Sequence, residues 1–179
     1  MRCFIAVDLP EEVKAHLLNL QKELGNDLIK IRWVAKKNLH LTLKFLGEVS
    51  EENIKIVQDK LSKIKFNSFK VRLGKIGVFP SENYIRVIWV GIEPDKDMIT
   101  LQEIIDSSLL DLFKSEQRFE THLTLGRIKF VKDKEKFLDL LKKIKIRDME
   151  FKVDNFKLMK SILTRNGPTY NALKEYILD

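Results

Sequence analysis

The sequence has little cysteine, and this scarcity excludes two common kinds of site. Cys3 is the only cysteine among 179 residues, so neither an intramolecular disulfide nor a thiolate metal cluster can form. We expect Cys3 to be a buried strand residue. A chain without disulfides suits a reducing compartment, and a cytoplasmic location is predicted.

Long apolar runs and glycine-rich phosphate loops are also missing. No run approaches the roughly 20 apolar residues that span a bilayer, so no membrane partner is expected. The opening segment MRCFIAVDLP predicts a strand and a turn, because a signal peptide needs a longer apolar region and a small-residue cleavage site. The stretch from Gly74 to Gly77 lacks the spacing of a P-loop, and no GxGxxG follows a strand. Nucleotide-dependent chemistry therefore has no visible site, and no cofactor is expected.

Basic residues are in excess, with a formal net charge of +7 and a pI of about 9.4. This balance favours an acidic partner such as nucleic acid. The basic residues are spread along the chain, however, and lysine-rich helices such as KEKFLDLLKKIK also form ordinary solvated faces. Charge alone therefore does not establish RNA binding. No self-association face is evident, and a monomer is expected.

Two short sequences occur twice at the same separation. The tetrapeptide HLTL lies at 40–43 and 122–125, and FKV lies at 69–71 and 151–153; both pairs are 82 residues apart (122 − 40 = 82; 151 − 69 = 82). Two matches at one offset indicate an internal duplication. No linker or low-complexity tract separates the halves. We predict a single domain over 1–179 with interwoven repeats at about 4–92 and 85–178.

Each half shows the same order of apolar patterns. Helical spacing, a strand carrying HLTL, a second helix and two closing strands follow one another in both copies. The pattern predicts an α+β fold: a bilobal, pseudo-twofold duplication with two antiparallel sheets, flanked by helices, and a central cleft that carries both HxTx motifs.

The repeated motif places polar side chains on one face of a strand. His40 and Thr42 share a face because strand residues alternate, and His122 and Thr124 do the same. A pseudo-twofold axis would bring two imidazoles and two hydroxyls to one point. One neutral and one protonated imidazole form a general base and a general acid. The threonine hydroxyls can donate to phosphate oxygens, which fits displacement at phosphorus.

Other interpretations of the histidines carry less weight. A lone strand histidine is more often structural than catalytic, but packing does not require His and Thr twice. The chain has no HExxH, and each HxTx strand supplies one good metal ligand, so no metal is expected. The third histidine, His16, lies on the apolar side of the first helix and is predicted to be structural.

At these motifs the sequence resembles the two-histidine phosphoesterase superfamily, and most closely its LigT-like RNA 2',3'-cyclic phosphodiesterases, long called 2'-5' RNA ligases. The resemblance covers nearly the whole chain. It includes Trp33, the segment NLHLTLKFLGEV, the runs GVFPS and RVIWVGI, Arg127, and Gly167-Pro168 with Tyr170. Thr121 and Gly126 depart from the residues usual in the family.

The resemblance implies metal-independent opening of an RNA terminal 2',3'-cyclic phosphate to a 2'-phosphomonoester. It implies that His40 is the general acid and His122 the base, that Thr42 and Thr124 hold the phosphate, and that Arg127 balances its charge. Two alternatives stay open: ATP-independent 2'-5' ligation in the same site, and an RNA- or nucleotide-binding module without physiological catalysis. Phe45, Phe79 and Trp33 are candidates for base stacking, although the core is the more frequent place for such residues.

Overall fold

The two copies of the repeated sequence fold into corresponding elements. The computed structural model describes residues 1–115, 118–165 and 167–179. In chain order the elements are β1 (Arg2–Asp8), α1 (Glu11–Leu24), β2 (Ile29–Trp33), β3 (His40–Glu48), α2 (Glu51–Ser62), β4 (Phe69–Ser81), β5 (Tyr84–Glu93), α3 (Lys96–Ser108), β6 (His122–Val131), α4 (Lys134–Lys143), β7 (Glu150–Val153), β8 (Asn155–Thr164) and β9 (Gly167–Ile177).

Shifting the first half by 82 residues superimposes its element order on the second half. In this way β1 corresponds to β5, α1 to α3, β3 to β6, α2 to α4, and β4 to β7 with β8. The same shift carries β5 onto β9, the closing strand of the second half, whereas β2 has no counterpart among the described elements. The repeat boundaries at 4–92 and 85–178 remain a prediction.

The described strands form one continuous antiparallel sheet of nine strands, in the order β7-β4-β5-β6-β3-β1-β8-β9, with β2 beside β6. The two sheets predicted from the sequence are the two halves of this sheet, which meet where Leu41 pairs with Leu123. The two FKV copies also pair with each other, and Lys70 lies opposite Lys152. At both places a residue faces its own counterpart, as a pseudo-twofold axis requires. The predicted α+β, bilobal fold is confirmed.

The ends of the strand order lie close together in the chain. Only Asp154 separates β7, at one end of the path, from β8, near the other end. The joined sheet must therefore curl so that β7 returns beside β4 while β8 lies beside β1. This curvature gives the sheet a concave surface that includes the junction of β3 and β6.

Helices cover the apolar side of the sheets. The predicted spacing on α1 is confirmed, since Val13, Leu17, Leu20 and Leu24 are all fully buried. Helix α1 contacts β6, and α3 contacts β3, so each of these helices packs on the motif strand of the other repeat. Cys3 is buried in β1, as expected. Among the described residues, no helix is long and apolar enough to cross a membrane.

A buried ion pair ties β3 to α3. The ammonium group of Lys44, a residue that is 2% exposed, contacts the carboxylate of Asp106. Lys44 also donates a 2.8 Å hydrogen bond to the carbonyl of Lys114, and the Ser115 hydroxyl donates a 2.6 Å bond to Asp106. The charges are thus satisfied by several partners, which a buried pair needs in order to be tolerated.

Candidate active site

The motif strands β3 and β6 alternate as predicted. His40 and Thr42 are partly exposed on the concave surface, whereas Leu41 and Leu43 are each 1% exposed on the other side. In β6, His122 and Thr124 repeat this arrangement over a buried leucine layer. Continuing the Leu41–Leu123 register by one residue places His40 alongside Thr124 and Thr42 alongside His122. Each imidazole therefore has the other motif's hydroxyl as its neighbour across the strands.

The ring of His40 is held by hydrogen bonds at both nitrogens. Nδ1 lies 2.7 Å from the carbonyl of Asn38 and must donate to it, because a carbonyl only accepts. Nε2 lies 2.9 Å from the Thr42 hydroxyl. Asn38 is in turn fixed, since its side-chain amide donates a 2.8 Å bond to the carbonyl of Pro168. This arrangement leaves Nε2 as the nitrogen that exchanges protons in the cleft.

The ring of His122 is oriented in a similar way from the other repeat. Its Nδ1–H donates to the carbonyl of Glu120 at 2.7 Å. The ring of Phe79 meets the imidazole edge-on with centroids 5.0 Å apart, and Phe79 stacks on Trp89 at 4.9 Å. Trp89 fits only because residue 77 is glycine: a Cβ there would lie 2.3 Å from the indole ring. Phe79 of the run GVFPS and Trp89 of the run RVIWVGI thus hold the ring of His122 in place.

Burial lowers the pKa of His40, while its hydrogen bond to the Asn38 carbonyl and the charge of Asp8 act in the opposite direction. The neutral imidazole is therefore favoured in the free protein. A bound phosphate would add negative charge at Nε2 and would favour the protonated form.

Equivalent β-bulges turn further side chains into the cleft. On β3, Thr42 pairs with Ala6 and Lys44 pairs with Ile5, which leaves Leu43 as the extra residue. On β6, Thr124 pairs with Trp89 and Gly126 pairs with Ile88, so Leu125 is the extra residue. Each bulge reverses the alternation beyond it. As a result Phe45 and Arg127, which are counterparts in the duplication, both line the cleft.

The cleft encloses about 640 Å³ and brings together all five predicted site residues, which are His40, Thr42, His122, Thr124 and Arg127. It also contains three cations that no sequence motif indicated, namely Arg2, Arg32 and Lys37. No acidic side chain occurs among the described residues that line it. Within the described part of the chain, none of the four cationic side chains forms a salt bridge. The cleft is thus suited to an anion.

One wall of the cleft is apolar. Phe45 is 61% exposed there, and its ring centroid lies 6.3 Å from that of Phe4. Phe4 and Tyr170 both contact the ring of His40. The expectation that Phe45 packs in the core is wrong, because the bulge at Leu43 turns it outward. Trp33 also lines the cleft, whereas Phe79 packs behind His122.

The third histidine, His16, lies outside the cleft. His16 is 6% exposed, and its Nε2 accepts a 3.2 Å hydrogen bond from the backbone N–H of Arg147, which fits the predicted structural role. Among the described residues, no group of three or more His, Cys, Asp or Glu side chains is placed to hold a metal ion.

Comparison with known proteins identifies the family to which this chain is related. The family described as LigT like Phosphoesterase matches the chain twice, at residues 7–89 and 90–170. The chain belongs to the LigT-like phosphoesterase family. The double match agrees with the element order, since each LigT-like segment contains one HxTx strand.

Relatives within the LigT-like family match over nearly their full length. A protein of Methanocaldococcus jannaschii named RNA 2',3'-cyclic phosphodiesterase is 42% identical over 178 residues, which cover 98% of this chain and 100% of the relative. Among solved structures, TT0787 of Thermus thermophilus is 28% identical with a TM-score of 0.80, covering 99% of this chain and 97% of that one. Escherichia coli LigT complexed with phosphate is 29% identical with a TM-score of 0.76, covering 99% and 96%.

Proposed function

We propose that this protein is an enzyme that hydrolyses the 2',3'-cyclic phosphate at the 3' end of an RNA to a 2'-phosphomonoester, by general acid and base catalysis and without a metal. The observation that carries the proposal is the placement of two HxTx motifs on neighbouring strands of one cationic cleft. Each imidazole has Nδ1 committed to a backbone carbonyl, which leaves Nε2 for proton transfer.

The relatives support the substrate class. Proteins of M. jannaschii and Thermotoga maritima that are 42% and 37% identical to this chain are named RNA 2',3'-cyclic phosphodiesterase. The homologous LigT of E. coli has been crystallised with phosphate and with 3'-AMP. A cleft with four cations and an apolar wall fits a phosphate attached to a nucleoside.

The reaction requires a proton to be taken from water and another to be given to a leaving oxygen. His122 Nε2 accepts the proton of the attacking water, whose oxygen forms a bond to phosphorus. The bond between phosphorus and O3' breaks, and His40 Nε2–H protonates O3'. The product carries a 2'-phosphate and a free 3'-hydroxyl.

The threonines and Arg127 stabilise the charge that grows on phosphate. The hydroxyls of Thr42 and Thr124 lie on the cleft face of their strands and donate to the non-bridging oxygens. Thr42 Oγ1 is also 2.9 Å from His40 Nε2, so the phosphate and the general acid share a neighbour. Arg127 adds a guanidinium group whose charge complements the dianionic transition state.

Protonation of His40 depends on the substrate in this mechanism. Burial lowers the pKa of His40 in the free protein, so the imidazole gains its proton most readily once the phosphate is bound. The bound substrate would thereby favour protonation of His40, the general acid that acts on it. This coupling offers a reason for placing a residue that must be charged in a partly desolvated cleft.

The experiment compares the wild type with His40→Ala and His122→Ala on a short RNA ending in a 2',3'-cyclic phosphate, in EDTA. We expect each substitution to lower kcat by about 10²–10⁴-fold, the usual contribution of a general acid or base. His16→Gln is the matched control, because glutamine can still accept the bond from Arg147. Equal turnover in all four proteins would exclude the two-histidine mechanism.

A second experiment separates the roles of the two histidines. A substrate with sulfur in place of O3' has a leaving group that needs little protonation. It should restore most of the activity lost in His40→Ala and little of that lost in His122→Ala. Restoration in the reverse order would exchange the acid and the base.

The predicted monomer is checked separately by light scattering of the purified protein.

A further inference from the structure

A solvent-facing strip leaves the cleft along the β2–β6 ribbon. Arg32 pairs with Arg127 at the cleft, and Lys30 pairs with Phe130 farther out. Strand β2 alternates regularly, with Lys30 and Arg32 exposed and Ile31 partly buried on the opposite face. Lys30 therefore faces the same side as Arg32, about 7 Å farther along the strand.

The outer part of this strip combines an exposed aromatic ring with positive charge. A register shift on β6 leaves Lys129 without a partner on β2, and both Lys129 and Phe130 are exposed, Phe130 by 61%. Neither β2 nor β6 contains an acidic residue. Within the described part of the chain, Lys30, Arg32, Arg127 and Lys129 form no salt bridge.

The strip is continuous with the cleft through two directly opposed arginines. Like charges opposite one another across a strand pair are unfavourable unless an anion lies between them. Arg32 is also closely packed at the rim, since a Cβ on Gly167 would be 2.6 Å from its Nη2 atom. Its guanidinium group thus lies where the cleft ends and the ribbon begins.

We propose that the β2–β6 ribbon binds the RNA strand that precedes the cyclic phosphate, with Lys30 and Lys129 contacting backbone phosphates and Phe130 stacking on a base. The inference rests on the proposed function, because a cyclic phosphate ends the RNA and leaves all other nucleotides on its 5' side. Aromatic rings that alternate with cations are the usual means of binding single-stranded RNA without sequence preference.

The first measurement is the affinity of the protein for a fluorescein-labelled hexanucleotide with a 2'-phosphate end, followed by anisotropy. Phe130→Ala should weaken binding roughly tenfold, the scale of one lost stacking contact. Lys30→Ala with Lys129→Ala should reduce the dependence of log Kd on log salt by about 0.7 for each phosphate contact removed. Tyr84→Ala and Arg72→Ala are matched controls on exposed residues of β5 and β4.

The second measurement compares two substrates for each protein, a hexanucleotide with a cyclic phosphate end and a mononucleoside 2',3'-cyclic phosphate. The quantity of interest is the ratio of kcat/KM for the hexanucleotide to kcat/KM for the mononucleoside. The ratio should fall about tenfold in Phe130→Ala and stay at the wild-type value in Tyr84→Ala. Thermal unfolding checks that each variant is folded.

The outcomes distinguish this inference from the proposed function. A wild type that does not bind the hexanucleotide, or Kd values that are equal in the wild type and Phe130→Ala, would overturn the ribbon whether or not turnover occurs. Turnover of both substrates with a ratio unaffected by Phe130→Ala would overturn the ribbon and leave the proposed function intact. Hexanucleotide binding that Phe130→Ala weakens, without any turnover of either cyclic phosphate, would support the ribbon and overturn the function.

Discussion

Each motif histidine uses one ring nitrogen for orientation and keeps the other for chemistry. The carbonyls of Asn38 and Glu120 accept from Nδ1 of His40 and His122, and both carbonyls lie two residues before their histidine. The backbone just before each motif strand therefore sets the tautomer, and no carboxylate is needed for this purpose. A neutral backbone partner also leaves the net charge of the cleft positive.

The hydroxyls of Thr42 and Thr124 should matter to the transition state more than to binding. Replacing either residue with valine keeps its shape and removes its donor, and we expect kcat to fall about 10²–10³-fold. Serine at the same position should retain most of the activity, because it keeps the hydroxyl. Steady-state kinetics on a mononucleoside 2',3'-cyclic phosphate checks this. Valine variants with wild-type kcat would remove the threonines from the mechanism.

The protonation of His40 should depend on an occupied cleft. Its pKa in the free protein should lie below the ordinary value of about 6.5, because burial opposes the charged imidazole. A bound nucleoside 2'-phosphate should raise the pKa, since negative charge favours imidazolium. NMR titration of the imidazole signals, assigned with His40→Ala, measures both values. An unchanged pKa on saturation with the nucleotide would contradict the proposed coupling.

At the scale of elements, two equivalent bulges decide which side chains reach the cleft. Strict alternation from the sequence correctly placed His40, Thr42, His122 and Thr124 on one face. Beyond the bulges at Leu43 and Leu125 the alternation is reversed, so Phe45 faces the cleft and Lys44 is buried. A bulge depends on the pairing of two strands and leaves little trace in one sequence. Arg127 was predicted only through family resemblance for the same reason.

His122 packs against Phe79, Phe79 stacks on Trp89, and Trp89 lies against Gly77. Gly77→Ala should displace Trp89, because the new Cβ would lie 2.3 Å from its ring, and Phe79 should shift with it. Overpacking of this kind costs about 1–3 kcal/mol, and we expect a lower Tm together with a lower kcat.

Replacing the indole with a smaller ring should relieve the clash. The double variant Gly77→Ala with Trp89→Phe should therefore recover part of both losses. Gly91→Ala is the control, since its new Cβ would be 3.4 Å from the indole, an ordinary contact. A wild-type Tm and kcat in Gly77→Ala would show that this series does not position His122.

The ion pair between Lys44 and Asp106 should be costly to break from one side. Lys44→Met alone leaves a buried carboxylate, and removal of one partner of a buried pair typically costs about 3–5 kcal/mol. Replacing both residues, with Lys44→Met and Asp106→Leu, should cost considerably less. Urea unfolding of the two single variants and the double variant measures this difference. Additive costs would contradict a coupled pair.

At the scale of the whole molecule, duplication supplies symmetry and later substitution removes part of it. The repeats provide matching histidines and threonines, whose pairing across Leu41 and Leu123 creates the site. The counterparts Phe45 and Arg127 place an apolar ring and a cation at equivalent positions of the cleft lining. A nucleotide is itself asymmetric, with a flat apolar base and an anionic phosphate. The repeated motifs and the α+β order could be predicted from the sequence, whereas the curl that joins the two sheets depends on contacts distant in the chain.

The most direct test is to identify the product by phosphorus NMR after the wild-type protein has acted on a short RNA with a 2',3'-cyclic phosphate end, in EDTA. A single 2'-phosphomonoester, absent when both His40 and His122 are replaced with alanine, is the predicted result. A 3'-phosphomonoester, or turnover that EDTA abolishes, would contradict the metal-independent mechanism with His40 protonating O3'.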